Sequence, residues 1–200
     1  MSEIFFHLDK QDGASVLRLQ AEDGTNRLTR ACVLALTVTV GELARRSHPL
    51  IITGNPRFFS AGADLHEIAR LTGPAALEFS RIGQALMRSL EQFPATVYAA
   101  ISGYCMGGGL DLALACHRRI ASPHALFGHR GAALGLITGW GGTQRLSRLL
   151  GKAMALEMFV AAKKISASRA LEIGLVDSLA DDPVAEALRR VASRCGSVIP

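Results

Sequence analysis

Gly107-Gly108-Gly109-Leu110-Asp111 sets three consecutive glycines ahead of a carboxylate in an otherwise apolar stretch. Glycine lets the backbone approach a ligand closely and adopt conformations closed to other residues. The apolar run from Thr96 to Ile101 precedes this turn, and Leu110 to Cys116 has helical composition, so the glycines fall where a helix begins. Unpaired N–H groups and the positive dipole end of the helix favour negative charge there. With the helix starting near Gly107, Asp111 lies about one turn in and shares a face with Gly108. An oxyanion donor beside an acid/base group is a reactive arrangement. Turns of this kind also occur simply to pack a helix on a sheet, and spacing alone does not separate the two.

A second small-residue turn, Ser60-Ala61-Gly62-Ala63, leads into Asp64-Leu65-His66-Glu67. Asp64 with Glu67 three residues later has the form of an N-cap with a capping-box partner. That structural job competes with a catalytic one for Asp64.

The elements that must position these turns alternate along the chain. Ser15-Val16-Leu17-Arg18-Leu19 reads as a half-buried strand after the turn at Asp12-Gly13. Thr29 to Arg46 reads as a helix, and Leu50 to Thr53 as a buried parallel strand. Ala75 to Gln92 carries Leu77, Ile82, Leu86 and Leu90 at helical spacing and stops before Pro94. Short strands follow around Ile120 to Pro123 and Ala125 to Gly128, then a glycine-rich loop from Gly135 to Gly142. Thr143 is expected to cap a helix running to Leu150, with Gly151 as its stop. Helices over Lys152 to Ala162 and Ser166 to Glu172 precede a final polar helix. The alternation predicts an α/β fold with a mainly parallel sheet and right-handed crossovers.

Composition narrows the function. The 200 residues are 49% hydrophobic and 20% charged, which suits one domain with a sizeable core. The net charge of +5 is scattered and aromatics are few, so nucleic acid is not an expected partner. A mildly basic surface suits an anionic small molecule, although charge alone is also a plain surface property. No apolar run reaches a membrane span, and Met1 to His7 lacks the basic and apolar regions of a secretory leader. Cys32, Cys105, Cys116 and Cys195 show no CxxC spacing, so buried thiols in a reducing cytoplasm are expected. The lone Cys116-His117 pair does not suggest a metal.

Three stretches together are specific. Phe59-Ser60-Ala61-Gly62-Ala63-Asp64-Leu65, the Gly-Gly-Gly-x-Asp helix start, and Gly139-Trp140-Gly141-Gly142-Thr143-Gln144-Arg145-Leu146 resemble the enoyl-CoA hydratase/isomerase (crotonase) family. The later segment Ile165-Ser166-Ala167 to Gly174-Leu175-Val176 agrees as well. The resemblance implies a single-domain ββα superhelix that binds an acyl-CoA thioester, with coenzyme A as part of the substrate and no separate cofactor. It also implies a homo-oligomer, a trimer or a hexamer of two trimers. By motif position, the backbone amides of Ala63 and Gly108 would hold the thioester oxygen as it becomes an enolate. Substrate contacts would come from Arg27, Ala61, Asp64, Leu65, Tyr104 and Trp140.

The departures from the family pattern bear on mechanism. Hydratases of the family carry two carboxylates. The first position is Asp111 here, and the second falls on Gly131, which has no side chain. The isomerase aspartate position falls near Gly139 and is empty also. His129, two residues before Gly131, shares that face in an extended segment and suits proton transfer near neutral pH. Its alternative is a histidine bonded to backbone near the surface. His66 and Tyr104 are the other candidates, with solvent and core packing as their alternatives. Trp140 is either a wall of the acyl pocket or ordinary core. The chain ends at Pro200, before the further helices that the resemblance implies, so a shortened C-terminal helical region is expected.

Two function classes follow. The first is an acyl-CoA enzyme with Asp111 as acid/base, its single carboxylate fitting isomerisation or decarboxylation better than hydration. The second is a crotonase relative that binds acyl-CoA without turnover. A serine peptidase lacks a GxSxG elbow, and nucleotide hydrolysis lacks a GxxxxGK[ST] loop.

Overall fold

The computed structural model describes residues 4–195. Met1 to Glu3, part of the Met1 to His7 stretch considered for a leader, and Gly196 to Pro200, where the shortened C-terminal region is expected to end, lie outside the described residues.

The chain opens with an antiparallel hairpin of β1 (Phe6–Gln11) and β2 (Ala14–Leu19), followed by β3 (Arg27–Leu28) and helix α1 (Arg30–Ala44). Three turns of a ββα spiral come next. The first comprises β4 (Leu50–Thr53), β5 (Phe58–Ser60), the short β6 (Gly62–Ala63), α2 (Leu65–Ile68) and α3 (Gly73–Glu91). The second comprises β7 (Val97–Ile101), β8 (Tyr104–Met106) and α4 (Gly108–Ala115). The third comprises β9 (Arg118–Ala121), β10 (Leu126–Gly128), a 3-10 turn at Gly131–Leu134, α5 (Gly142–Leu150) and α6 (Lys152–Ala161). The described chain closes with β11 (Ile165–Ser166), α7 (Ala167–Glu172), β12 (Ser178–Leu179) and α8 (Pro183–Cys195).

The spiral is visible in the pairing. The first strands of successive turns stack in parallel as β4-β7-β9 within a six-stranded sheet ordered β1-β2-β4-β7-β9-β12. The second strands stack in parallel as β5-β8-β10 within a four-stranded sheet that ends on the antiparallel β11. Segments leading from second strands into helices therefore converge at one end of the smaller sheet.

Period-two alternation assigns the β4 and β7 side chains to two cores. Leu50, Ile52, Val97, Ala99 and Ile101 join the main core with α1, α3 and α4. Ile51, Tyr98 and Ala100 face the other way, onto Ala187 and Val191 of α8. Each fully buried Leu or Ile contributes about 1.5–3 kcal/mol, so the central strands are anchored from both faces.

Two expectations need correction. The strand ending at Ile101 does not run directly into the glycine turn, because β8 intervenes in the smaller sheet after the bend at Gly103. Thr143 does not cap α5. Gly141, with φ of +94°, takes the N-cap position without a side-chain hydrogen bond.

Candidate active site

The turn at residues 60–63 is locked from below. Buried Asn26 donates from Nδ2 to Phe58 O at 2.9 Å and accepts from Ala21 N at 3.1 Å. Ser60 Oγ donates to Asn26 O at 2.7 Å and accepts from Gly62 N at 3.1 Å. With its hydroxyl so committed, Ser60 is a structural link. Gly62 has φ of +98°, and a Cβ there would meet Met106 O at 2.6 Å and Gly108 N at 2.9 Å. Only glycine permits that approach. A Cβ on Gly108 would in turn sit 3.1 Å from Ala63 N, so the residue 62–63 loop packs directly against the start of α4.

Asp64 works as expected of a cap. Its Oδ1 accepts from His66 N at 2.8 Å and Glu67 N at 3.0 Å, at the start of α2. Glu67 does not complete a capping box. Its Oε2 instead accepts from Arg30 N at 2.8 Å, capping the start of α1 and tying the two helices together.

Asp111, 1% exposed, sits in the first turn of α4. Its Oδ2 accepts a hydrogen bond from the Thr138 hydroxyl. Its Oδ1 lies 3.2 Å from His129 Nε2. That is ion-pair distance without hydrogen-bond alignment, and neither atom has another hydrogen-bond partner. Gly142, the first residue of α5, closes the other side: a Cβ there would lie 1.9 Å from Oδ1. The carboxylate is thus packed directly against the first residue of a second helix.

His129 is 4% exposed, with its ring 4.9 Å from Phe159, so the surface reading of this residue fails. Face-sharing with Gly131 does not explain its position either, because the chain turns into the 3-10 segment at that point. It reaches Asp111 because β10 lies parallel to β8 with Gly128 opposite Met106. The residue after β10 therefore comes level with the start of α4.

Ala63, Gly108, Asp111 and His129 line one cavity of about 580 Å³, together with Ala61, Leu65 and Trp140. Arg27, Asp64 and Tyr104 are not among its lining residues. Arg27 pairs with Asp23 and lies 3.3 Å from Asp64 Oδ2. Tyr104 packs its ring 5.2 Å from Phe58, with Lys164 Nζ 4.7 Å away. His66 is exposed. At Gly131, a Cβ would meet Leu136 O at 2.7 Å, and Leu136 N donates to Gly131 O at 2.9 Å. The space beside Gly131 is filled by the returning loop. Among the described residues there is no cluster of three or more His, Cys, Asp or Glu side chains that could hold a metal. No helix among them is long and apolar enough to cross a membrane.

The family model for enoyl-CoA hydratase/isomerase matches residues 9–198. The chain belongs to the enoyl-CoA hydratase/isomerase family. It is 36% identical over 177 residues to the short-chain-enoyl-CoA hydratase of Clostridium acetobutylicum, covering 87% of this chain and 68% of that protein. A probable enoyl-CoA hydratase of Bacillus subtilis is 48% identical over 135 residues, spanning 66% of this chain and about half, 52%, of the relative. Among solved structures, Pseudomonas aeruginosa DspI superposes with a TM-score of 0.91 at 33% identity, covering 98% of this chain and 76% of that one. The enoyl-CoA hydratase of Bacillus anthracis superposes at 0.88 with 32% identity, covering 95% and 77%. The α/β architecture is that of this family.

Within that frame, Thr138 and Gly142 are site residues that the sequence motifs did not single out. Both lie in or beside the Gly-Trp-Gly-Gly-Thr segment, and both pack directly against the Asp111 carboxylate. The signal available was the second glycine of the pair, whose backbone, unlike that of Gly141, needs no positive φ.

Proposed function

We propose that this family member acts on an acyl-CoA thioester through an enolate, with Asp111 as the proton-transfer group. The observation that carries the reading is the buried Asp111 carboxylate, whose Oδ1 has no hydrogen-bond partner, in the same cavity as Ala63 and Gly108. Asp111 removes a proton from the carbon next to the thioester. The C–H pair forms a new C=C bond as the carbonyl π pair moves onto oxygen, where the two amides receive it. Return of the proton to the same or a conjugated carbon restores the thioester. Loss of one such donor typically costs about 10²–10³ in rate.

His129 is the second group of the site. In hydration of an enoyl thioester, Asp111 takes a proton from water as the water oxygen adds to the β carbon, His129 Nε2–H gives a proton to the α carbon, and the proton held by Asp111 passes back to His129 across their 3.2 Å contact, leaving both groups as they began. The names of the relatives support hydration, while the filled space at Gly131 favours a one-carboxylate proton shift over two-carboxylate hydration. The same filled space supports a second reading, a relative that binds acyl-CoA without turnover. A trimer or hexamer is proposed from the family resemblance and from the exposed Leu156 and Val160 on α6. A reducing, cytoplasmic setting fits the buried thiols of Cys105 and Cys116.

The test is α-proton exchange of acyl-CoA thioesters in D2O, read by mass spectrometry, for wild type and Asp111→Asn. Exchange that disappears in the variant while CoA-thioester binding persists is the expected result. Binding without exchange in the wild type refutes the enolate mechanism and leaves the binding module.

A further inference from the structure

Gly83 stands in the interior of α3 with no positive φ, so the backbone does not require glycine there. Glycine is the poorest interior helix residue after proline, and the reason for its presence lies outside the helix. A Cβ on Gly83 would come within 2.2 Å of Cδ1 and Nε1 of Trp140. At the opposite edge of the same indole, a Cβ on Gly108 would lie 2.6 Å from Cζ3. The indole therefore fills the gap between α3 and the start of α4, five-membered ring towards Gly83 and six-membered ring against Gly108. It is held there firmly. Nε1 donates to Phe79 O at 3.3 Å, and the ring tilts against Phe79 at 5.2 Å between centroids. Arg145 Nη1 donates to Trp140 O at 2.9 Å, while its Nη2 pairs with Glu91 near the end of α3 at 2.7 Å.

We infer that Trp140 is the specificity-determining wall of the acyl pocket, selecting straight-chain apolar acyl groups over those branched or aromatic at the carbon next to the thioester. The inference rests on the enolate reading above, in which Gly108 N–H holds the thioester oxygen. A carbonyl oxygen accepting from that amide lies about 2.9 Å from the nitrogen. The acyl α carbon, two bonds further on, then lies in van der Waals reach of the indole edge that touches Gly108. With the α3–α4 gap sealed, the chain must run within the rest of the cavity, whose lining includes Leu71, Ala76, Leu136 and Ile137, with Arg130 as its one basic side chain besides His129. The four aliphatic side chains offer apolar surface, which suits a saturated or enoyl hydrocarbon tail.

Butyryl-CoA and isobutyryl-CoA are isomers in which one methyl moves from the chain end to the α carbon, so a preference between them that depends on Trp140 reads this wall. Titration calorimetry of the wild type is expected to favour butyryl-CoA by about tenfold or more, the range one misplaced methyl produces in a shaped pocket. Trp140→Leu and Trp140→Ala are expected to remove the preference while affinity for free CoA stays level. Trp140 is the chain's single tryptophan, so its emission gives a second readout that needs no variant: it should change on binding butyryl-CoA and not on binding free CoA. Equal binding of the two isomers by wild type overturns the inference. So does a preference that survives in a cooperatively melting Trp140→Leu, or emission indifferent to the acyl group. Failure of the wild type to bind either thioester more tightly than free CoA is a different outcome: it refutes the acyl-CoA reading itself and the inference with it.

Discussion

Gly142→Ala adds one methyl group at the first residue of α5, where the backbone accepts alanine without strain. The cost is therefore steric, and its size can be read from the structure. The new Cβ would lie 1.9 Å from Asp111 Oδ1, whereas ordinary contact begins at 3.4 Å, so the carboxylate and the helix start must separate by about 1.5 Å. Thr138 Cγ2, at 2.9 Å from the same Cβ, blocks the neighbouring space. A misplacement of about 1 Å in a positioned group costs about 10²-fold in rate. The α-proton exchange assay should accordingly fall by about 10²-fold or more, with CoA affinity little changed, because the helix start lies on the Asp111 side of the cavity. Exchange close to the wild-type rate in a folded Gly142→Ala would refute the placement of Asp111 as the base.

Two further predictions address the scaffold. Burial, reinforced by the nearby Cys116 and Asp111, pushes the Cys105 thiol well above its ordinary range, and burial pushes Cys116 up to about 12. Both thiols should therefore stay unlabelled by N-ethylmaleimide at pH 8 in the folded protein and react after denaturation; peptide mapping that finds either labelled under native conditions contradicts the structure. Gly41 is an exposed interior residue of α1, and a Cβ there meets nothing within 4 Å. Gly41→Ala should stabilise the protein by about 1 kcal/mol, raising Tm by about 2–4 °C for a chain of this size, and calorimetry showing a lowered Tm would count against the assigned helix.

The features legible in the sequence are those in which local chemistry and position coincide. The glycine turn before Asp111, the Asp64 cap and the strand-helix alternation each depend on residues close together in the chain. Others depend on strand register. His129 meets Asp111 only because β8 and β10 run parallel with Met106 opposite Gly128, a pairing that no short-range pattern encodes. Glu67 has the spacing of a capping box for its own helix, yet tertiary packing gives it the α1 amide of Arg30 instead. Gly83 looks like a flaw in a long helix until Trp140, 57 positions later in sequence, is seen against it.

The closed loop at Gly131 has a consequence for engineering. A single change from glycine to glutamate at this position does not simply add a second acid, because the new Cβ would stand 2.7 Å from the Leu136 carbonyl oxygen and the loop must shift to admit it. The loop from Leu134 to Ile137 must open first, and that change by itself confers no acid. Directed evolution that samples position 131 alone should therefore find no second acid, whereas libraries covering residues 131 and 134–137 together can open the loop and place one.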